Sequence, residues 1–224
     1  LFDGFAGPPA GMYQAPQLIL DGVSLPQRSL LAQFSDPKTA PKVPTIFGSN
    51  RDEGRLFMLR DPQFVDAHLG VFYREKDRAS YDRVANYASR TWKLVGSDAP
   101  ARAIRSSEVS SVWTYRFDWD ETSSSLFADL PFLLGAAHGM EIPFVFGDLT
   151  FPIPGIFTDD NLVAAETLSA AMRSYWSEFA YRGDPGRGRE GELPQWSSWQ
   201  QDEQFMILDT QSGGGLRLSD ELEH

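Results

Sequence analysis

Apolar runs of strand length alternate along this chain with helix-period patterns, and that alternation restricts it to an α/β layout rather than a sandwich or a bundle. Residues 43–47, Val43-Pro44-Thr45-Ile46-Phe47, form a compact β-prone run closed by Gly48-Ser49-Asn50, residues suited to a sharp exit from a strand. Glu53 is then expected just past a strand end. Residues 111–119, rich in aromatic and β-branched side chains, predict a second strand. Across residues 161–182, Leu168, Met172, Tyr175, Trp176 and Phe179 recur at three- and four-residue intervals, which predicts one long helix with its apolar stripe in the core. Thr158, Asp159 or Asp160 can cap its start, and Gly183-Asp184-Pro185 marks its end. Residues 205–209 and 216–218 are late strand candidates joined through Ser212-Gly213-Gly214-Gly215. No helix pattern follows those glycines to aim amides at an anion, so they read as a turn. The basic, glycine-rich stretch Asp184-Pro185-Gly186-Arg187-Gly188-Arg189 reads as a solvated loop.

A chain of 224 residues with 42% apolar and 13% aromatic content can bury a sizeable core. No internal repeat or low-complexity linker divides it, so residues 1–221 are read as part of one domain. Leu1 is not an initiator methionine and Phe2-Asp3-Gly4-Phe5 looks like a loop entered midway, so a processed or truncated start is expected. The formal charge of −11 argues against nucleic acid or an anionic membrane as partner, because phosphate binding depends on clustered Lys and Arg. No apolar run approaches a membrane span of roughly twenty residues. With no cysteine there are no disulfides or thiolate metal sites, and the compartment, cytoplasmic or secreted, stays open. Leu222-Glu223-His224 matches the junction that commonly precedes a polyhistidine tag, which leaves His68 and His138 as natural histidines, too few for a His-rich metal site.

Two motifs carry chemistry. Gly48-Ser49-Asn50-Arg51-Asp52-Glu53-Gly54 places an acid after the first strand, and Gly135-Ala136-Ala137-His138-Gly139-Met140-Glu141-Ile142-Pro143-Phe144-Val145-Phe146-Gly147 places a histidine after the second. Each alone has an ordinary reading. Glu53 can be a carboxylate in a charged turn, and a lone histidine beside apolar residues is commonly structural. Together, an acid and then a histidine beyond successive strand ends match the chain order a Ser-His-acid hydrolase requires after its serine. No Gly-x-Ser-x-Gly occurs in the chain, so the nucleophile is expected upstream or on a separate piece.

These motifs resemble those of the type-B carboxylesterases, the α/β-hydrolase family that includes bacterial p-nitrobenzyl esterases, animal carboxylesterases and cholinesterases. The landmarks fall in family order from about Asp21 to Asp209: Leu20-Asp21-Gly22 with Leu25-Pro26, the acid motif, Tyr115-Arg116-Phe117-Asp118, the histidine motif, and Trp176-Ser177-Glu178-Phe179-Ala180-Tyr181-Arg182-Gly183-Asp184-Pro185 followed by Pro194-Gln195-Trp196. The resemblance implies the C-terminal part of an α/β-hydrolase fold, a mostly parallel sheet flanked by helices. It makes Glu53 the triad acid and His138 the general base, with Asp52 and Glu141 as structural neighbours and Glu141 bracing the histidine loop. Leu56, Phe57 and Met140 would line the acyl or alcohol pocket, or else pack as ordinary core. No metal or organic cofactor is implied. The expected partners are the N-terminal portion of the same protein and a small-molecule ester. Two other classes remain open: a non-catalytic, adhesion-type relative on the same scaffold, and an unrelated binding domain in which Glu53 and His138 lie far apart.

Overall fold

The computed structural model of the chain describes residues 19–69, 72–151, 153, 155–199 and 202–221. The opening segment at residues 2–5 and the tag-like residues 222–224 lie outside that set. In chain order the strands are β1 (Thr45–Asn50), β2 (Val65–His68), β3 (Phe72–Glu75), β4 (Val112–Phe117), β5 (Phe205–Leu208) and β6 (Arg217–Ser219). The helices are α1 (Leu30–Phe34), α2 (Arg55–Met58), α3 (Arg78–Lys93), α4 (Ala99–Ser107), α5 (Leu130–Leu133), α6 (Ile142–Phe146) and α7 (Leu162–Arg182), with a π-helical turn, Leu94–Asp98, between α3 and α4.

The main sheet runs β1-β4-β5-β6, parallel from β1 to β5 and antiparallel at β6. Parallel neighbours cannot be joined by a tight turn, so β1 connects to β4 through α2, α3 and α4, and β4 to β5 through α5, α6 and α7. A separate antiparallel pair, β2 and β3, sits on the first excursion. The expected α/β architecture with a mostly parallel, helix-flanked sheet is the one found. No helix among the described residues is long and apolar enough to cross a membrane.

Alternate residues of the central strands feed two cores. Trp113 and Phe117 of β4 join Met206 and Leu208 of β5 in the larger one, with Leu168, Met172 and Tyr175 of α7. Val112, Phe205 and Ile207 point the other way and pack with Ala101 and Ile104 of α4 and with Trp199. A strand's side chains alternate faces, so β5 is apolar on both because both are covered, whereas β4 turns Trp113, Tyr115 and Phe117 to the larger core and places the polar Thr114 and Arg116 on the same face as Val112. The periodic stripe on α7 does face inward: Trp176 meets Tyr115 edge-on at 5.2 Å, and Phe179 meets Trp113 at 5.7 Å. Each such buried side chain contributes about 1.5–3 kcal/mol relative to exposure.

Local boundaries differ from expectation in three places. β1 does not end at Gly48 but runs on to Asn50. Gly48 pairs with Tyr115, and a β-carbon there would fall 2.0 Å from the tyrosine ring, so this glycine serves close packing inside a strand rather than a strand exit. The cap of α7 is Asn161, not residues 158–160. Its carboxamide accepts from the Thr158 N–H at 2.9 Å and donates to the carbonyls of Ile156 and Glu121, tying the helix start to the loop after β4. Between β5 and β6, the glycine-rich link begins as a 3-10 turn, Gln211–Gly213, and β6 starts at Arg217.

Candidate active site

Both chemical motifs leave the sheet at carboxyl ends of parallel strands, where open α/β folds gather functional groups. The chain turns sharply after Asn50, and Glu53 is 4% exposed in that turn. Its Oε1 accepts the Asn50 backbone N–H at 2.8 Å, which fixes the carboxylate plane. Its Oε2 lies 2.6 Å from Nδ1 of His138, 85 residues further along the chain. The sequence-predicted acid and histidine are therefore in direct hydrogen-bond contact.

Since a carboxylate only accepts, Nδ1 carries the hydrogen and donates it to Glu53, which leaves the lone pair of a neutral imidazole on Nε2. The hydrogen bond to Glu53 holds the His138 pKa above the ordinary histidine value, against an opposing effect of burial, with the charges of Glu53 and Glu141 adding to the rise. The ring keeps about a third of its surface open, at 34%.

The loop carrying His138 is bolted to the acid turn. Asp52 N–H donates to the Ala136 carbonyl at 3.0 Å, and Ala136 N–H donates back to Asp52 Oδ2 at 3.1 Å. The same carboxylate takes Arg51 Nε at 3.0 Å and Arg55 Nε at 2.9 Å, so this buried charge is fully partnered. Gly135 is required beside it. A β-carbon at Gly135 would sit 2.4 Å from Asp52 Oδ2, and the backbone there is left-handed, with φ of 52°. The Asn50 carboxamide donates to Ala137 O at 2.7 Å and to Glu141 Oε2, so Asp52 and Glu141 both stand where they brace the loop. On the far side of the turn, Gly54 N–H donates to Ser89 Oγ of α3 at 3.1 Å.

Phe57 lies against His138 with ring centroids 5.4 Å apart, and Trp92, near the end of α3, lies at 5.0 Å. The two rings also stack on each other at 5.8 Å, forming an aromatic wall beside the imidazole. Phe57 is the aromatic member of the three expected pocket residues. Leu56 is partly buried against the larger core, and Met140, 2% exposed, is inside it. Trp92 escaped the sequence reading because it falls at helical spacing with Tyr81, Ala85 and Ala88 of α3, a pattern that signals packing and says nothing of a contact with His138. Two open surface hollows, along residues 184–191 and between the β2–β3 pair and residues 125–129, share no residue with this cluster.

Residues 72–222 match the model of the carboxylesterase family, a stretch that includes His138 and starts after Glu53. Among characterised proteins the chain is similar to para-nitrobenzyl esterase of Bacillus subtilis, 29% identical over 79% of this chain and 39% of the relative. It also resembles carboxylesterase 5A of Canis lupus familiaris, 33% identical over 74% of this chain and 27% of the relative. The chain thus spans well under half the length of either. Among solved structures it superposes on a PNB esterase with a TM-score of 0.50 at 25% identity, covering 81% of this chain and 36% of that one. A Geobacillus stearothermophilus carboxylesterase shares the fold with a TM-score of 0.59 at 20% identity, covering 89% of this chain and 41% of that one. With an α/β-hydrolase sheet and a family match over most of its length, the chain belongs to the carboxylesterase family.

Proposed function

We propose that this chain supplies the acid and the base of a Ser-His-Glu triad that hydrolyses small carboxylic esters, and that the serine and oxyanion hole come from the N-terminal portion of the same protein. The observation that carries the reading is the 2.6 Å contact between His138 Nδ1 and Glu53 Oε2. In this mechanism Glu53 holds the imidazole in the tautomer whose Nε2 is free to accept the serine proton, and stabilises the imidazolium as it forms. The serine oxygen attacks the ester carbonyl, and His138 then passes the proton to the departing alcohol. In the second half-reaction His138 takes a proton from water, which attacks the acyl-enzyme and releases the carboxylic acid. Backbone N–H groups in the N-terminal portion would stabilise the oxyanion, a contribution of about 3 kcal/mol per donor. Alone, the present chain is expected to be inactive. The aromatic wall of Phe57 and Trp92 would border the substrate, with Leu56 and Met140 supporting that border from the core side.

The test is turnover of a short-chain p-nitrophenyl ester, together with stoichiometric organophosphate labelling, in the whole or reconstituted protein. Turnover and labelling that both collapse in His138→Ala and Glu53→Gln support the triad. A folded wild type inert to both reagents contradicts it and favours a non-catalytic, adhesion-type role on the same scaffold.

A further inference from the structure

We propose that Asn50 is a positioning residue for the hydrolysis proposed above: a single buried residue that fixes His138 relative to Glu53 by holding the acid with its backbone and the histidine loop with its side chain. Asn50 is 3% exposed at the last position of β1, where pairing with Phe117 of β4 anchors it to the rigid sheet. Its backbone N–H reaches Glu53 Oε1 at 2.8 Å. Its carboxamide nitrogen reaches Ala137 O at 2.7 Å and Glu141 Oε2. Those two acceptors lie just before and three residues after His138, so the imidazole is held on both sides by the residue that also holds its carboxylate partner.

The chemistry of the position is narrow. An asparagine amide has two N–H donors, and here one meets a carbonyl and the other a carboxylate. Aspartate has the same shape but no donor, and it would set a second negative charge against Glu141. Alanine or leucine would leave both acceptors bare in a buried setting. Asp52 does not duplicate the role, because its carboxylate is committed to Arg51, Arg55 and the Ala136 amide and makes no bond to Glu53. Asn50 also keeps Glu141 engaged, so this second carboxylate near the imidazole does not compete with Glu53 for the Nδ1 hydrogen.

The test uses the whole protein, serine-bearing portion included, as wild type, N50D, N50A, E141Q and the swapped pair N50D/E141Q, which reverses donor and acceptor across the same gap. Three quantities are read: kcat and KM on a short-chain p-nitrophenyl ester, the downfield Nδ1 proton of His138 by NMR, and the thermal midpoint. Displacing a reacting group by an ångström costs up to about a hundredfold, so N50D is expected to lower kcat about tenfold or more with KM little changed. The Nδ1 proton signal should broaden or vanish, and adding E141Q should restore part of both losses. Retention of that proton, and of kcat within twofold, in N50D and N50A would overturn the proposal. So would unfolding of both variants with no rescue by the swap, which would make Asn50 a stability residue only. If wild type hydrolyses no ester at all, the proposed activity fails while the proton signal still decides the role of Asn50.

Discussion

Two groups of carboxylates sit at the carboxyl ends of adjoining parallel strands, and their surroundings could hardly differ more. After β1, Glu53 is shared between an amide and a histidine, and Asp52 between two arginines and an amide. After β4 and β5, Asp118 is paired with Arg116 and Asp120 with Arg51, but Glu121 and Asp209 lie close together and, among the described residues, take neutral donors: the Asp120 and Thr210 amides and the hydroxyls of Thr210 and Ser212. Burial first and the charge of Glu121 second push the Asp209 carboxyl up to about 6. The topological position is equivalent. What differs is the supply of donors, and that supply lets the first group orient an imidazole while in the second the Glu121–Asp209 corner, unlike the arginine-paired Asp118 and Asp120, accumulates unfavourable charge.

The strongest way to break this contrast is to remove the imidazole. His138→Ala should lower kcat/KM of the whole protein on a p-nitrophenyl ester by about a hundredfold or more, the scale expected for a general base, with circular dichroism unchanged. Next is Arg55→Ala. Asp52 would keep Arg51 and the Ala136 amide but lose a buried partner, so denaturant unfolding should show a loss of about 2–3 kcal/mol, short of the full cost of an unpaired buried charge.

The second group predicts the opposite sign. Because the folded-state pKa of Asp209 is raised, the folded protein holds this proton more tightly than the unfolded chain does. The group favours folding at low pH and becomes a penalty as pH rises from about 4 through about 6. Asp209→Asn should therefore stabilise the protein by about 1–2 kcal/mol at pH 7 and by almost nothing near pH 4, as followed by thermal unfolding across pH. The smallest effect is expected at the aromatic wall. Trp92→Ala should reduce kcat/KM for aryl esters by about fivefold, near 1 kcal/mol, and change alkyl esters less, in a side-by-side substrate series.

Strand and helix periodicity made β4, β5 and α7 legible, because each buries a repeating set of apolar side chains and the repeat itself is the signal. Glu53 and His138 were legible through short motifs with a fixed chain order. The antiparallel pair β2–β3 was not, since apart from Val65 its residues are exposed or half-buried and lack the alternation that marks a half-buried strand. The full extent of β1 was hidden by Gly48, a residue that reads locally as a break and acts here as clearance for a ring 67 positions away on β4. Asn50 and Trp92 were missed for a related reason. Their roles exist only through contacts with a loop that folding brings to them, Asn50 meeting Glu141 across 91 positions, and no local pattern encodes such a meeting.

The most direct test of the central claim compares two titrations in the whole protein: the pH dependence of kcat/KM, and the protonation of His138 followed by NMR, each in wild type and Glu53→Gln. The hydrogen bond to Glu53 raises the His138 pKa, so activity should rise with pH along an acidic limb whose midpoint coincides with the His138 titration and lies above the ordinary value of 6.5. In Glu53→Gln both midpoints should move down together. A kinetic midpoint that differs from the His138 titration, or stays fixed while His138 shifts, would contradict the assignment of His138 and Glu53 as base and acid.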